Sequence, residues 1–193
     1  MTFKPAALLA LLTTACNPNV NSERDAARAY LGLEAGITRA VNLGMDGYNS
    51  ASSANIAPQI ADGDLGGTMT VTGQVDQGQS DNKELRLQVA LVGYLDDTTD
   101  GDTPFAIIYD TDPTAPPELD VSLRGIPDGT LEATLAGDFA MTNDLEGVVT
   151  LDLAITSEIE AGPDGIGVVQ KAGTAQVTGT ATSGFGSYDV NLQ

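Results

Sequence analysis

The sequence predicts a mainly β domain: an N-terminal amphipathic α-helix packed on a strongly curved antiparallel meander sheet, or open barrel, of about eight strands. Three observations carry that expectation. Apolar residues recur at steps of three or four over residues 26–45. From Met69 onward they alternate with polar residues at period two, and short turn-forming stretches separate the alternating runs. Short connections favour antiparallel neighbours, because a parallel crossover needs a dozen or more residues. A two-sheet β-sandwich satisfies the same pattern and is the alternative architecture.

The elements follow in order. Met1-Thr2-Phe3-Lys4 carries one positive charge, residues 5–12 form an apolar run, and Thr13-Thr14-Ala15 is a small-residue stretch. This is the layout of a secretory signal, too short to stay in a bilayer as a spanning helix, so residues 1–15 fall outside the fold. Residues 16–21 are polar, contain Pro18 and read as a tether to a single domain over residues 22–193. Ser22-Glu23-Arg24-Asp25 sets a hydroxyl three places before a carboxylate, a capping-box-like start. Ala26, Tyr30, Leu33, Ile37, Val41 and Met45 then mark a helix of about six turns, ending around residues 44–47. On it, Gly32, Gly36, Ala40 and Gly44 keep a four-residue spacing. Each glycine costs about 1 kcal/mol of helix propensity relative to alanine, so the stripe predicts close approach of the helix backbone to the sheet.

Residues 48–66, rich in Ser, Ala, Asn, Asp and Gly, read as a loop or crossover. The alternating runs that follow centre on Val71, Leu87, Ile107, Val121, Leu135, Leu153, Val177 and Val190. Gly67-Thr68-Met69-Thr70-Val71-Thr72-Gly73 is echoed by Gly173-Thr174-Ala175-Gln176-Val177-Thr178-Gly179 without a constant repeat period, which points to shared strand composition rather than a solenoid. Thr, Gln and Asp fill the second face of the strands, so that face is wet. Few aromatics and a Val-Asn-Leu-Gln end argue against an outer-membrane barrel.

Charge and composition restrict the function. Lys and Arg total 8 against 27 Asp and Glu, a net charge of −19, so a direct nucleic-acid partner is excluded. With no His and one Cys, the usual zinc, copper and haem ligand sets and all His-based catalysis are excluded too. Acid pairs are inevitable among 27 acids and carry no weight as a catalytic signal, no phosphate-binding glycine loop precedes a helix, and an enzyme is not expected.

The only cysteine stands directly after the leader, in Leu12-Thr13-Thr14-Ala15-Cys16, and the segment resembles the lipobox of a bacterial lipoprotein precursor. The resemblance implies diacylglycerol attachment to the Cys16 sulfur, cleavage just before it and a membrane partner held through that lipid. Thr13 stands where the family most often has Leu. Asn17 rather than Asp follows the cysteine, which in that family favours the outer over the inner membrane. An unpaired thiol in an exported chain otherwise has no disulfide partner.

Two further sets of residues are candidates. Asp96, Asp100 and Asp102, with Thr98 and Gly101, partly follow a calcium loop, although Ile107 occupies the place of the closing Glu. Weak calcium binding is the one cofactor expectation. Leu33, Ile37, Val41, Leu87, Leu151 and Leu153 would line an apolar cavity between helix and sheet if the protein carries an apolar ligand. The competing expectation is an acidic structural or adhesive surface lipoprotein with no small-molecule site. A filled core at that place would favour the second over the first.

Overall fold

The computed structural model describes residues 18–163 and 165–192, with side chains from Ser22 onward. The described residues form two helical segments, α1 (Pro18–Leu31) and α2 (Glu34–Ser50), followed by twelve strands. These are β1 (Gln59–Asp62), β2 (Gly66–Val75), β3 (Lys83–Leu95), β4 (Thr98–Asp100), β5 (Thr103–Phe105), β6 (Ile107–Asp110), β7 (Glu118–Arg124), β8 (Thr130–Asn143), β9 (Gly147–Ala161), β10 (Val168–Gln170), β11 (Gln176–Ser183) and β12 (Gly186–Leu192). The helix begins at Pro18, inside the stretch expected to be tether, and runs a few residues past its expected end; Cys16 and Asn17 lie outside the described residues.

Ten strands make one antiparallel sheet whose order follows the chain, β1-β2-β3-β6-β8-β9-β11-β12. β7 shares with β6 the place between β3 and β8, and β10 extends the β11 side of β9, so the sheet has eight strand places. The sandwich alternative fails on this path, since the second sheet is only the β4–β5 hairpin. Among the described residues no pairing joins β1 to β12, and the barrel stays open. α1 lies on β11 and β12 while α2 lies on β1, β2 and β3 and touches β10, so the helix bridges the two margins of the curled sheet. The turns after β1, β8 and β11 and the β4–β5 hairpin form what we call the upper rim. The loops after β2, β7 and β9 and the end of α2 form the lower one.

Alternation sets the layers. In β8 and β9 every second residue through most of each strand is buried, and the buried set from all main strands joins the helix in one apolar core. Outward, one register row runs Thr180, Asp152, Ala136, Glu118, Gln88 and Thr72 across six strands. This polar outer face is the reverse of a membrane-spanning barrel, whose outside must be apolar. Gly73 (φ +143°) and Gly179 (φ +139°), the closing glycines of the two echoed segments, sit inside β2 and β11. A Cβ at either would run into the neighbouring strand's backbone, at Arg86 and Asp152, so side chains are excluded at these two close approaches. The echo therefore has a local structural meaning.

The expected single helix has one interruption, at Gly32 and Leu33. The Leu33 N–H bonds to the Tyr30 carbonyl (2.8 Å), one residue short of the helical partner, and this frees the Ala29 carbonyl. Tyr109 on β6, fully buried, donates its hydroxyl to that carbonyl (3.1 Å). A Cβ at residue 32 would collide with the same tyrosine. The break is thus a side-chain wedge in the helical ladder, one of the recognised causes of a kink. Below it the small-residue stripe faces the sheet as expected: a Cβ at Gly36 would meet Tyr94 at 3.2 Å and Met69 at 3.4 Å, and one at Gly44 would meet Leu87 at 2.5 Å.

β1 and β4 are the strands the sequence does not announce. β1 falls in the Ser/Asn-rich stretch read as a loop, and β4 in the acidic stretch read as a turn. Both are short and flank tight turns, so neither has the length to display alternation.

Candidate functional site

The upper rim gathers the chain's principal polar cluster. Arg39, on the sheet-facing side of α2, reaches Tyr94 at the end of β3, Asp96 just beyond it and Asp64 in the β1–β2 turn. Its Nη1 donates to Asp96 Oδ1 (2.7 Å) and to the Tyr94 hydroxyl, and its Nη2 to Asp64 Oδ1 (3.0 Å). The Tyr94 hydroxyl in turn donates to Asp96 Oδ2 (2.7 Å), and the Asp64 backbone N–H donates to Asp96 Oδ1 (3.0 Å). The Asp96 side chain is only 1% exposed, so its charge is tolerable because both oxygens accept donors and one donor is cationic. Burial opposes charge on Arg39, but the hydrogen bond to Asp96 and the nearby Tyr94, Asp96 and Asp64 outweigh it and hold the guanidinium above its ordinary value. Burial first, then the hydrogen bond to Asp96, push the Tyr94 phenol far above its ordinary value.

A second knot ties the β4–β5 hairpin to α1. Arg24 and Arg28, one helical turn apart, both place Nε on Asp100 Oδ2, at 2.5 and 3.0 Å. The Arg28 guanidinium also lies 5.4 Å from the centre of the Phe105 ring on β5. The hydrogen bonds from Arg24 and then Arg28 hold the Asp100 carboxyl below the usual range.

This arrangement gives the three acids of the expected calcium loop separate places. Asp96 faces inward to Arg39, Asp100 faces α1, and Asp102 stands exposed in the hairpin turn. A cation needs free oxygen lone pairs pointing at one centre, whereas Asp96 and Asp100 point theirs at N–H and O–H donors. Among the described residues no three acidic, His or Cys side chains are placed together to hold a metal. Arg39, Tyr94 and Asp64 were not singled out from sequence. The available signals were the i,i+4 pair Arg24 and Arg28 on one helix face and the two-residue step from Tyr94 to Asp96.

The expected apolar site is core. Leu33, Ile37, Val41, Leu87, Leu151 and Leu153 are all buried in the single hydrophobic cluster. Between helix and sheet, a cavity bordered by Leu33, Gly36, Ile37, Met69 and Phe139 measures about 10 Å³. That is at the lower limit for one water molecule, and small-molecule sites measure about 300–1,000 Å³.

Larger hollows are open to solvent. At the lower rim a cleft of about 320 Å³ lies among Tyr48, Asn49, Asp76, Lys83 and Gly167. Its wall is pinned by Asn49, which donates Nδ2 to the Val168 carbonyl (2.8 Å) and accepts the Val168 N–H (2.9 Å), fastening α2 to β10. Lys83 is largely buried there and donates to the Gly78 carbonyl, which ties the loop after β2 to the base of β3. These bonds are structural closures of the cleft wall. On the outer face Arg124 and Ser122 both bond Glu84 and hold its carboxyl below the usual range, Ser122 first.

No family model, curated protein or solved structure matches the chain.

Proposed function

We propose that the protein is a lipid-anchored envelope protein, exported and held through an acylated Cys16, on the outer membrane in preference to the inner. Its folded part serves as an acidic structural or adhesive unit that works through its outer surface. The observation that carries this reading over an apolar carrier is the filled interior: the cavity between helix and sheet bordered by Leu33, Gly36 and Met69 measures only about 10 Å³. The resemblance of residues 12–16 to a lipobox supports the anchor, and the net charge of −19 suits a surface that stays soluble and repels anionic neighbours.

The test compares wild-type cells, a deletion strain and a Cys16→Ser strain, each fed a radioactive fatty acid. Label is expected on the wild-type protein and absent from Cys16→Ser. Envelope integrity and attachment are expected to fall in the deletion strain, and Cys16→Ser should reproduce the loss because a detached protein no longer works at the surface. Equal label in both proteins places the anchor elsewhere, and a deletion strain with unchanged envelope and attachment overturns the structural or adhesive role.

A further inference from the structure

The exposed apolar side chains of this protein are unevenly placed. Among the described residues five large ones are well exposed: Ile60, Leu65, Val92, Val148 and Ile166. Ile166 belongs to the lower rim. The other four are on the upper part of the sheet, and three of them share one corner. Ile60 on β1 stands in the outer-face row with Thr70 and Ala90, and Val92 (67% exposed) in the next row with Thr68. Leu65 (58% exposed) caps the corner in the β1–β2 turn, where its N–H bonds the Leu95 carbonyl.

The chain enters the fold at the same end. Arg24 is bonded to Asp100 in the β4–β5 hairpin, which follows directly on β3, and Ala26 lies beside Gly186 at the start of β12. α1 starts at Pro18, and only Asn17 separates it from Cys16. Two residues of chain span at most about 7 Å whatever path they take. An acyl chain on Cys16 therefore holds the start of α1, and with it the upper rim, close to the bilayer instead of letting the domain swing on a long leash.

We propose that the β1–β2–β3 corner, with Ile60, Leu65 and Val92, is a membrane-resting surface that seats on the bilayer to which Cys16 is attached, leaving the lower rim and its open cleft directed away from the membrane. The proposal rests on the lipid-anchor reading. Asp62 flanks the corner, and Asp64 is paired with Arg39, so the surface suits zwitterionic lipid better than anionic.

The chain contains no Trp, so a single introduced indole reports its own depth. Val92→Trp, Leu65→Trp and, as the lower-rim control, Ile166→Trp alter exposed positions only. Each protein is prepared twice: as the form processed in cells, and as the full chain with its one thiol, Cys16, coupled to a maleimide phospholipid. Both are placed on phosphatidylcholine vesicles with brominated acyl chains. The indoles at 92 and 65 are expected to be quenched several-fold more than the one at 166 and to shift their emission to the blue. Equal quenching at all three positions, or stronger quenching at 166, overturns the orientation. An emission shift at 92 that follows protein concentration without vesicles assigns the corner to a second copy of the chain and likewise overturns it. If only the cell-processed form fails to bind vesicles, the natural anchor is absent and the proposed function falls, while the coupled form still decides which end faces lipid.

Discussion

The helix is held to the sheet in two ways, and its two halves differ in which one dominates. Along one side of α2 the contact is apolar and close: Gly36, Ala40 and Gly44 let the backbone approach Tyr94, Met69 and Leu87 with almost no space between. At the upper rim the contact is ionic, through Arg24, Arg28 and Arg39 to Asp100, Asp96 and Asp64. The seam gains stability from excluded water and dispersion and is indifferent to salt or pH. The rim fixes where the helix starts and how the hairpin sits, through a set of charges that ranges from fully buried to exposed. A chain with so few cations places three of them here, so the rim has a share of the protein's positive charge far out of proportion to its size.

The largest effect is expected from the buried end of that range. Asp96→Ala strands Arg39 and the Tyr94 hydroxyl without their shared acceptor, and removing one member of a buried pair costs about 3–5 kcal/mol. Denaturant unfolding measures it, and a loss below about 1 kcal/mol would show that the seam alone positions the helix. Next comes the seam itself. Gly36→Leu improves intrinsic helix propensity yet forces a branched side chain against Tyr94 and Met69, and it should cost about 1–3 kcal/mol. An unchanged or raised unfolding midpoint would mean that the seam is loose enough to repack.

The smallest effect is expected from the exposed end. Asp100→Asn should lower the melting temperature only slightly, and the difference should vanish at high salt. Because its arginines depress the Asp100 pKa below the ordinary 3.8, the ion pair's contribution is complete above that value and is lost as pH falls through the lower folded-state pKa. Wild type and Asp100→Asn should therefore converge in melting temperature in acid. The same pair of proteins tests calcium: millimolar calcium, magnesium and ionic-strength-matched sodium chloride should raise the melting temperature of both equally, by screening a highly acidic chain. A calcium-specific rise lost in Asp100→Asn would promote the hairpin to a metal site.

The two halves also differ in how far they could be read from sequence. The seam was legible because it is local: a four-residue spacing on one helix and a switch of apolar period at Met69 suffice to predict a helix lying close on a wet-backed sheet. The rim was not, because it joins Arg39 to residues 25 and 57 positions away, through turns whose geometry no periodicity encodes. Acids in the 96–102 stretch were visible as a cluster, and clustering suggested a shared cation. The partners of Asp96 and Asp100 are instead arginines on the helix. The same limit explains the cavity expectation. Apolar identity at Leu87 or Leu151 marks a side chain as inward, but whether the space it faces is empty depends on the partner volumes, here Tyr94, Tyr109 and Phe139, all fully or almost fully buried.

The contact of α1 with β11 and β12 has a consequence for the order of assembly. Each strand place in the main path is filled by the next stretch of chain, so hairpins can add one after another as the polypeptide is delivered from its N-terminus. The helix cannot finish docking in that way: its first half waits for the last two strands of the sequence. Loop closure over most of the chain is entropically slow. The last two strands of the sequence thus complete the seat of its first helix, and truncating β12 would remove part of the surface on which α1 packs.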